Sequence, residues 1–203
     1  MEDKPTVFIV DDDPSITGAI SELVEVIDLE PAAYNSADRF LKSYQPDGPG
    51  CLVLDIRMPG MSGLELQREL VSRGDRLPII VITGHGDIRM AVEAMGAGAF
   101  NFLEKPFRTQ ELCDNIQKAV KLDQERWQTH QQRQDAKKRM DRLTPAEHAV
   151  LDRVVAGKTN KMIAEELDVS VRAVEDRRAR MMKRLAVDSR AELLELAAAA
   201  KVN

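Results

Sequence analysis

Long apolar runs are missing from this 203-residue chain. No stretch approaches the roughly 18 residues that a membrane-crossing helix needs, so no membrane association is expected. Cysteine is scarce. Cys51 and Cys113 are too few for a disulfide scaffold or a metal framework of their own, and both lie in segments expected to be buried. They read as free core thiols of a protein kept in a reducing cytoplasm. His85, His130 and His148 are scattered singly, without zinc spacing. Gly84-His85-Gly86 lacks the GxxxxGK context of a nucleotide-binding loop, which leaves His85 as a loop residue. The opening MEDKP is acidic and lacks the basic-then-apolar plan of a secretory leader.

A strong positive charge is also lacking. The length suits one or two domains, and the pattern favours two. Residues 1–122 hold 12 Lys and Arg against 20 Asp and Glu, residues 123–142 hold 6 against 4, and residues 143–203 hold 11 against 10. The acidic front part repels DNA, so nucleic-acid binding would belong to the back part, and there only a local basic face could do it.

The front part carries the strongest pattern. Cys51-Leu52-Val53-Leu54 is a short apolar run between Pro49-Gly50 and Pro59-Gly60, as expected of a strand buried on both faces of a parallel sheet. It ends on Asp55. Thr6–Val10 runs likewise into Asp11, Asp12 and Asp13; residues 78–82 run into Thr83; and residues 100–103 lead to Glu104, Lys105 and Pro106. Parallel strands would bring these ends to one rim, where open α/β sheets bind ligands. Clustered carboxylates repel, so such a rim calls for a cation, and its oxygen donors suit Mg²⁺.

Helical patterns alternate with the strands through residues 5–122, predicting five strands and five helices. Pro14 suits a first helical position, Ser62 with Glu65 forms a capping box, and Asp87 can cap a helix that Gly96 and Gly98 stop.

With these residues in view, the front part closely resembles the receiver domain of bacterial two-component response regulators of the FixJ/NarL group. The acid pair Asp11-Asp12, Asp55, Thr83, Phe102 and Lys105-Pro106 carry the resemblance, together with the loops RMPGMSG and ITGHGD. It implies a doubly wound, flavodoxin-like fold. It also implies Asp55 as the phosphoryl acceptor, with a sensor histidine kinase as donor. Mg²⁺ would take Asp12, Asp55 and the backbone carbonyl of Arg57, with Asp11 acting mostly from behind. Lys105 would hold the phosphoryl oxygens, and the Lys105-Pro106 bond would be cis. Thr83 and Phe102 would form the switch: the hydroxyl draws its loop toward the phosphoryl group and vacates space that Phe102 fills. The alternative for Phe102 is a plain core aromatic. Slow self-dephosphorylation is the most enzyme-like activity expected.

Neither Gly nor Pro occurs from Phe107 to Thr144. Leu112, Ile116, Ala119 and Val120 give the last receiver helix its apolar stripe, which then fades. Residues 123–142 offer only Trp127, Ala136 and Met140 as apolar candidates, too sparse for a coiled coil. A solvated helical extension and a flexible tether fit this linker equally well.

From 143 to 203 the pattern is all helix. Thr144, Pro145 and Glu147 form a strong start, Gly157 a stop, and Ser170 and Ser189 two further caps. Short helix, tight turn and longer helix read as helix-turn-helix. LTPAEHAVL, AGKTNKMIAEEL and SVRAVEDRRARMMKRL resemble the LuxR-type DNA-binding domain of the same regulators; the alternative is a helical bundle for protein contacts. The resemblance implies double-stranded DNA as partner, a homodimer once phosphorylated, and contact with RNA polymerase. The long helix would bury Val171, Val174, Met181, Met182 and Leu185. Arg172, Glu175, Asp176, Arg177, Arg180 and Lys183 would be offered to the major groove. Asp176 has two readings, pairing with Arg172 and Arg180 four residues away or accepting a hydrogen bond from a base. For Glu175 base reading is favoured.

Overall fold

The four apolar runs, joined by a fifth segment, Glu30–Tyr34, that carries no such run, become five parallel strands in the order β2-β1-β3-β4-β5. The computed structural model describes residues 4–84 and 88–201. The strands are β1 (Thr6–Val10), β2 (Glu30–Tyr34), β3 (Gly50–Asp55), β4 (Ile79–Thr83) and β5 (Asn101–Glu104). Between them lie α1 (Pro14–Val26), α2 (Ala37–Ser43), α3 (Gly63–Ser72) and α4 (Ile88–Gly96), and α5 (Thr109–Met140) follows. This is the flavodoxin-like winding, and strand order reverses between β1 and β3. Asp87, expected to cap α4, and His85 lie outside the described residues.

β3 is the central strand and is buried at all six positions. Its alternate side chains feed two cores. Leu52 and Leu54 join Val10, Phe40, Leu66 and Val81 on one face, and Cys51 and Val53 join Ile9, Ile80, Leu112 and Ile116 on the other. Both cysteines are free and buried. Glycine is required at the start of this strand and at the first position of α3, which packs on the strand's far end. A Cβ on Gly50 would stand 2.3 Å from the Thr6 carbonyl oxygen, and one on Gly63 would stand 2.1 Å from that of Asp55.

The chain divides into two units, residues 1–127 and 128–203, and the division falls inside the segment read as a linker. That segment is helical as far as Met140, as the continuation of α5. It is more than a solvated extension, because both its ends are engaged. In the first unit Asp123 accepts a hydrogen bond from the Gly50 amide at 2.9 Å, and Arg126 donates to the Arg76 carbonyl at 3.2 Å. Burial raises the Asp123 carboxyl above its usual range. In the second unit Ala136 and Met140 are buried, and Arg139 donates to the carbonyls of Leu185 and Ala186.

The second unit holds α6 (Pro145–Val155), α7 (Asn160–Leu167), α8 (Val171–Leu185) and α9 (Arg190–Lys201) around Val150, Ile163, Val174, Met181, Leu185 and Leu193. Thr144 and Glu147 form a full capping box at α6. The Glu147 carboxylate is buried, accepts from the Thr144 amide at 2.8 Å and lies 3.4 Å from Arg184. The Thr144 amide, and then the Thr144 hydroxyl and Arg184, hold this carboxyl below its ordinary value of 4.5. A depressed folded pKa contributes stability that is fully present above the unfolded pKa and is lost as pH falls through the folded one. Glu147→Gln keeps a side chain able to close the box but removes the charge. Its urea midpoint at pH 7, followed by circular dichroism, should drop by the equivalent of about 0.5–1 kcal/mol. The gap to the native chain should close as pH falls below about 4. A gap independent of pH would show that the charge contributes nothing.

Candidate functional site

Parallel pairing sets the strand ends side by side. Val10 pairs with Leu54, Asp55 with Ile82, and Thr83 with Glu104, so the residues that close β1, β3, β4 and β5 share one rim. Asp11 and Asp55 lie there nearly sealed from solvent, at 3% and 6% exposure, with Thr83 at 3%.

Lys105 joins the two carboxylates. Its Nζ lies 2.6 Å from Asp55 Oδ1 and 2.8 Å from Asp11 Oδ2. Asp55 Oδ2 accepts from the Arg57 amide at 2.6 Å, and Asp11 Oδ1 accepts from the Asp13 amide at 2.9 Å. Burial raises the Asp55 carboxyl above its ordinary range and repulsion from Asp11 adds to this, although Lys105 and the Arg57 amide pull the other way. Burial alone would lower Lys105, but hydrogen bonds to Asp11 and Asp55 leave it raised. One ammonium thus serves two carboxylates. The rim is short of positive charge.

The three consecutive aspartates divide the work. Asp11 is tied to Lys105 and backbone. Asp13 caps α1, accepting from the Ser15 amide and hydroxyl, contacts that lower its pKa. Asp12 is exposed, and among the described residues its carboxylate has no hydrogen-bond or ion-pair partner. Among the described residues no three His, Cys, Asp or Glu side chains converge into a closed metal cage. Mg²⁺ keeps several waters and takes one or two carboxylates beside phosphate oxygens, so it does not require such a cage. Asp12, Asp55 and the Arg57 carbonyl fit such a site; the Arg57 side chain is exposed.

Among the described residues the Thr83 hydroxyl donates to the Gly84 carbonyl alone, at 3.3 Å, a contact weak enough to be exchanged. Phe102 is 42% exposed on β5. This corrects the core alternative, for its ring stands out of the core that Leu103 enters. The Lys105-Pro106 peptide bond is cis.

The sequence reading missed two contacts behind the rim. Gly63 donates to the Ile56 carbonyl at 3.0 Å and packs on the Asp55 backbone, which closes the loop under the acceptor. Gln67, wholly buried on α3, donates to the Ala94 carbonyl of α4 at 2.8 Å. A glutamine among the apolar positions Leu64, Leu66 and Leu70 was the available signal.

In the second unit α7 ends on Asp168 in left-handed conformation (φ 51°), and Ser170 caps α8. Val174, Met181 and Leu185 are buried, with Met182 packed against them. Val171 is 41% exposed, contrary to its expected place in the core, because it lies in the first turn, before α8 meets its neighbours. Arg172, Glu175, Asp176, Ala179, Arg180 and Lys183 are exposed, while Arg177 is half-buried. Arg178 donates to Asn160 Oδ1 at 3.1 Å and Arg184 to the Arg142 carbonyl at 3.1 Å. The pairing reading of Asp176 is not realised. Arg180 Nε donates to its backbone carbonyl, at 3.3 Å, and among the described residues no ion pair joins Asp176 to Arg172 or Arg180. The i,i+4 spacing allowed a carboxylate contact, but the guanidinium takes the nearer carbonyl.

Among the described residues no helix is long and apolar enough to cross a membrane. The family profile described as response regulator receiver domain matches residues 7–117, and that of bacterial regulatory proteins of the luxR family matches residues 141–197. Nodulation protein W of Bradyrhizobium diazoefficiens is 42% identical over 193 residues, 95% of this chain and 85% of that protein. The transcriptional regulatory protein FixJ of Azorhizobium caulinodans is 39% identical over 202 residues, 100% of this chain and 96% of that one. The solved structure of the response regulator StyR superposes with a TM-score of 0.89 at 42% identity, covering 96% of this chain and 98% of the other. Sheet order, rim and helix-turn-helix agree with these matches, and the chain belongs to the DNA-binding response regulators of two-component systems, with a receiver domain followed by a LuxR-type domain.

Proposed function

We propose that Asp55 is the residue through which a sensor histidine kinase switches this regulator. The supporting observation is the placement of Asp55: it closes the central strand, with one oxygen on Lys105 and the other on the Arg57 amide. A carboxylate oxygen attacks phosphorus, the bond from phosphorus to the donor's imidazole nitrogen breaks, and its electron pair leaves with the imidazole. Lys105 already touches the acceptor and can follow the charge onto the phosphoryl oxygens. Mg²⁺, held by Asp12, Asp55 and the Arg57 carbonyl, would supply the positive charge that the rim lacks.

The Thr83 hydroxyl then trades its weak contact with Gly84 for the phosphoryl group, and Phe102 moves into the space its loop leaves. The changed β4–β5 surface favours a homodimer, whose two LuxR-type domains bind double-stranded DNA through Arg172, Glu175, Asp176, Arg177, Arg180 and Lys183, with RNA polymerase as a further contact. The protein works in the cytoplasm as a switch without catalytic turnover beyond slow loss of its own phosphoryl group.

One experiment covers this chain of events. Full-length protein is treated with a small acyl-phosphate donor and Mg²⁺, then sized and titrated with the DNA upstream of its own operon. A phosphoryl adduct, a dimer and a gain in affinity are expected together. An adduct without any change in size or DNA affinity would reduce the protein to a phosphate sink or adaptor.

A further inference from the structure

The exposed face of α8 is unusual for a surface meant to approach phosphates. Arg172, Glu175, Asp176, Ala179 and Lys183 share it, so two carboxylates stand between one cation in the first turn and one in the last. Among the described residues none of the other basic residues of α8, Arg177, Arg178, Arg180 and Arg184, forms an ion pair with either carboxylate. Arg178 donates to Asn160, Arg180 to the Asp176 carbonyl, and Arg184 to the Arg142 carbonyl while lying beside Glu147. Among the described residues Glu175 has no ion-pair or hydrogen-bond partner for its side chain.

Helix-turn-helix proteins bring the N-terminal part of this helix against base edges in the major groove. An unneutralised carboxylate there is repelled by phosphate and by the acceptor atoms of guanine and thymine. The cytosine 4-amino group is the pure donor that base pairs present in that groove; adenine offers its amino group beside an acceptor. Glu175 sits in the second turn with the longer reach, and Ala179, one turn on, leaves room for close approach.

We infer that Glu175 is a specificity-determining residue that accepts a hydrogen bond from a cytosine amino group, so each operator half-site carries a cytosine at one fixed position. This rests on the reading of α8 as the DNA-reading helix and adds the base that it selects. A carboxylate that merely tolerates DNA would weaken binding to every sequence alike.

Selection from a random duplex library by the full-length protein, with acyl-phosphate donor and Mg²⁺ present, tests it. The native chain should recover a motif with a fixed cytosine in each half-site. Glu175→Gln, nearly the same size, should recover the same motif with adenine at that position alone, since an amide matches the adenine edge. Glu175→Ala should lose roughly 5- to 150-fold in affinity for the native motif and accept any base there. An unchanged motif with Glu175→Gln overturns the inference and leaves the DNA reading standing. So does Glu175→Ala binding native and scrambled duplexes more tightly to the same extent. A native chain that recovers no motif overturns both. Glu175 is exposed, away from the buried side of α8, and thermal melting of each variant verifies that its fold is intact.

Discussion

Asp55→Asn protein is expected to show no phosphoryl adduct by mass spectrometry after donor treatment, under conditions in which the native chain is labelled. An amide oxygen is a poor nucleophile, and no other described carboxylate combines the end of the central strand with contact to both Lys105 and the Arg57 amide. The loss should be complete, because the acceptor itself is removed. The fold should survive. Burial raises the pKa of Asp55, so the folded protein favours the neutral form of this side chain more than the unfolded chain does. Stability is therefore lower above that folded pKa than it would be with an uncharged group, and asparagine lifts that cost. In Mg²⁺-free buffer at neutral pH the Tm of Asp55→Asn should equal or exceed that of the native chain. An adduct of equal stoichiometry on the variant would move the acceptor elsewhere.

Lys105→Ala should have the largest effect on stability of any substitution at the rim. It leaves Asp11 and Asp55, both nearly buried, facing one another without their shared cation. Removing one partner of a buried ion pair typically costs about 3–5 kcal/mol, and repulsion within the carboxylate pair places this case toward the upper end. Part of that loss is recoverable, since a ligand that binds only the folded state stabilises it by mass action. Scanning the variant with and without Mg²⁺ should show a low Tm that recovers further than the native chain's rises. The variant can still be labelled at Asp55, but DNA affinity should no longer increase on labelling, because the phosphoryl oxygens lack the ammonium. A Tm within a degree of the native value, or the same response to Mg²⁺, would show that Lys105 does not hold the pair.

What the sequence made legible was local. The strand runs, the capping boxes at Ser62 and Thr144 and the left-handed glycine after α6 each depend on residues a few positions apart, and each forms as expected. The rim was legible because parallel strands of similar length must end together. The division of labour among Asp11, Asp12 and Asp13 was only partly so. Which carboxylate meets Lys105 depends on a contact spanning 94 positions, and local spacing carries no record of it. Asp13 as a cap was implicit in Pro14, whose first-turn position needs a partner before it. Composition left the linker open between a helix and a tether. Its helix is held by Asp123 on Gly50 and by Arg139 on the end of α8, and polar tertiary contacts leave no apolar stripe to read. Val171 and Asp176 diverged for a shared reason: helical periodicity gives direction around an axis, but not where neighbouring helices begin and end.

Gly50 at the start of β3 and Gly63 at the start of α3 have a consequence for how mutational data on this chain would be interpreted. With backbone oxygens 2.3 Å and 2.1 Å from any added Cβ, both positions reject even alanine. In a saturation screen scored by reporter output they would rank beside Asp55 as intolerant sites, though neither side chain performs chemistry. Reporter loss alone would thus draw a functional map with false centres at these two glycines. Pairing each score with the variant's cellular abundance separates the kinds, since glycine variants would vanish from the cell while Asp55→Asn would accumulate and stay silent.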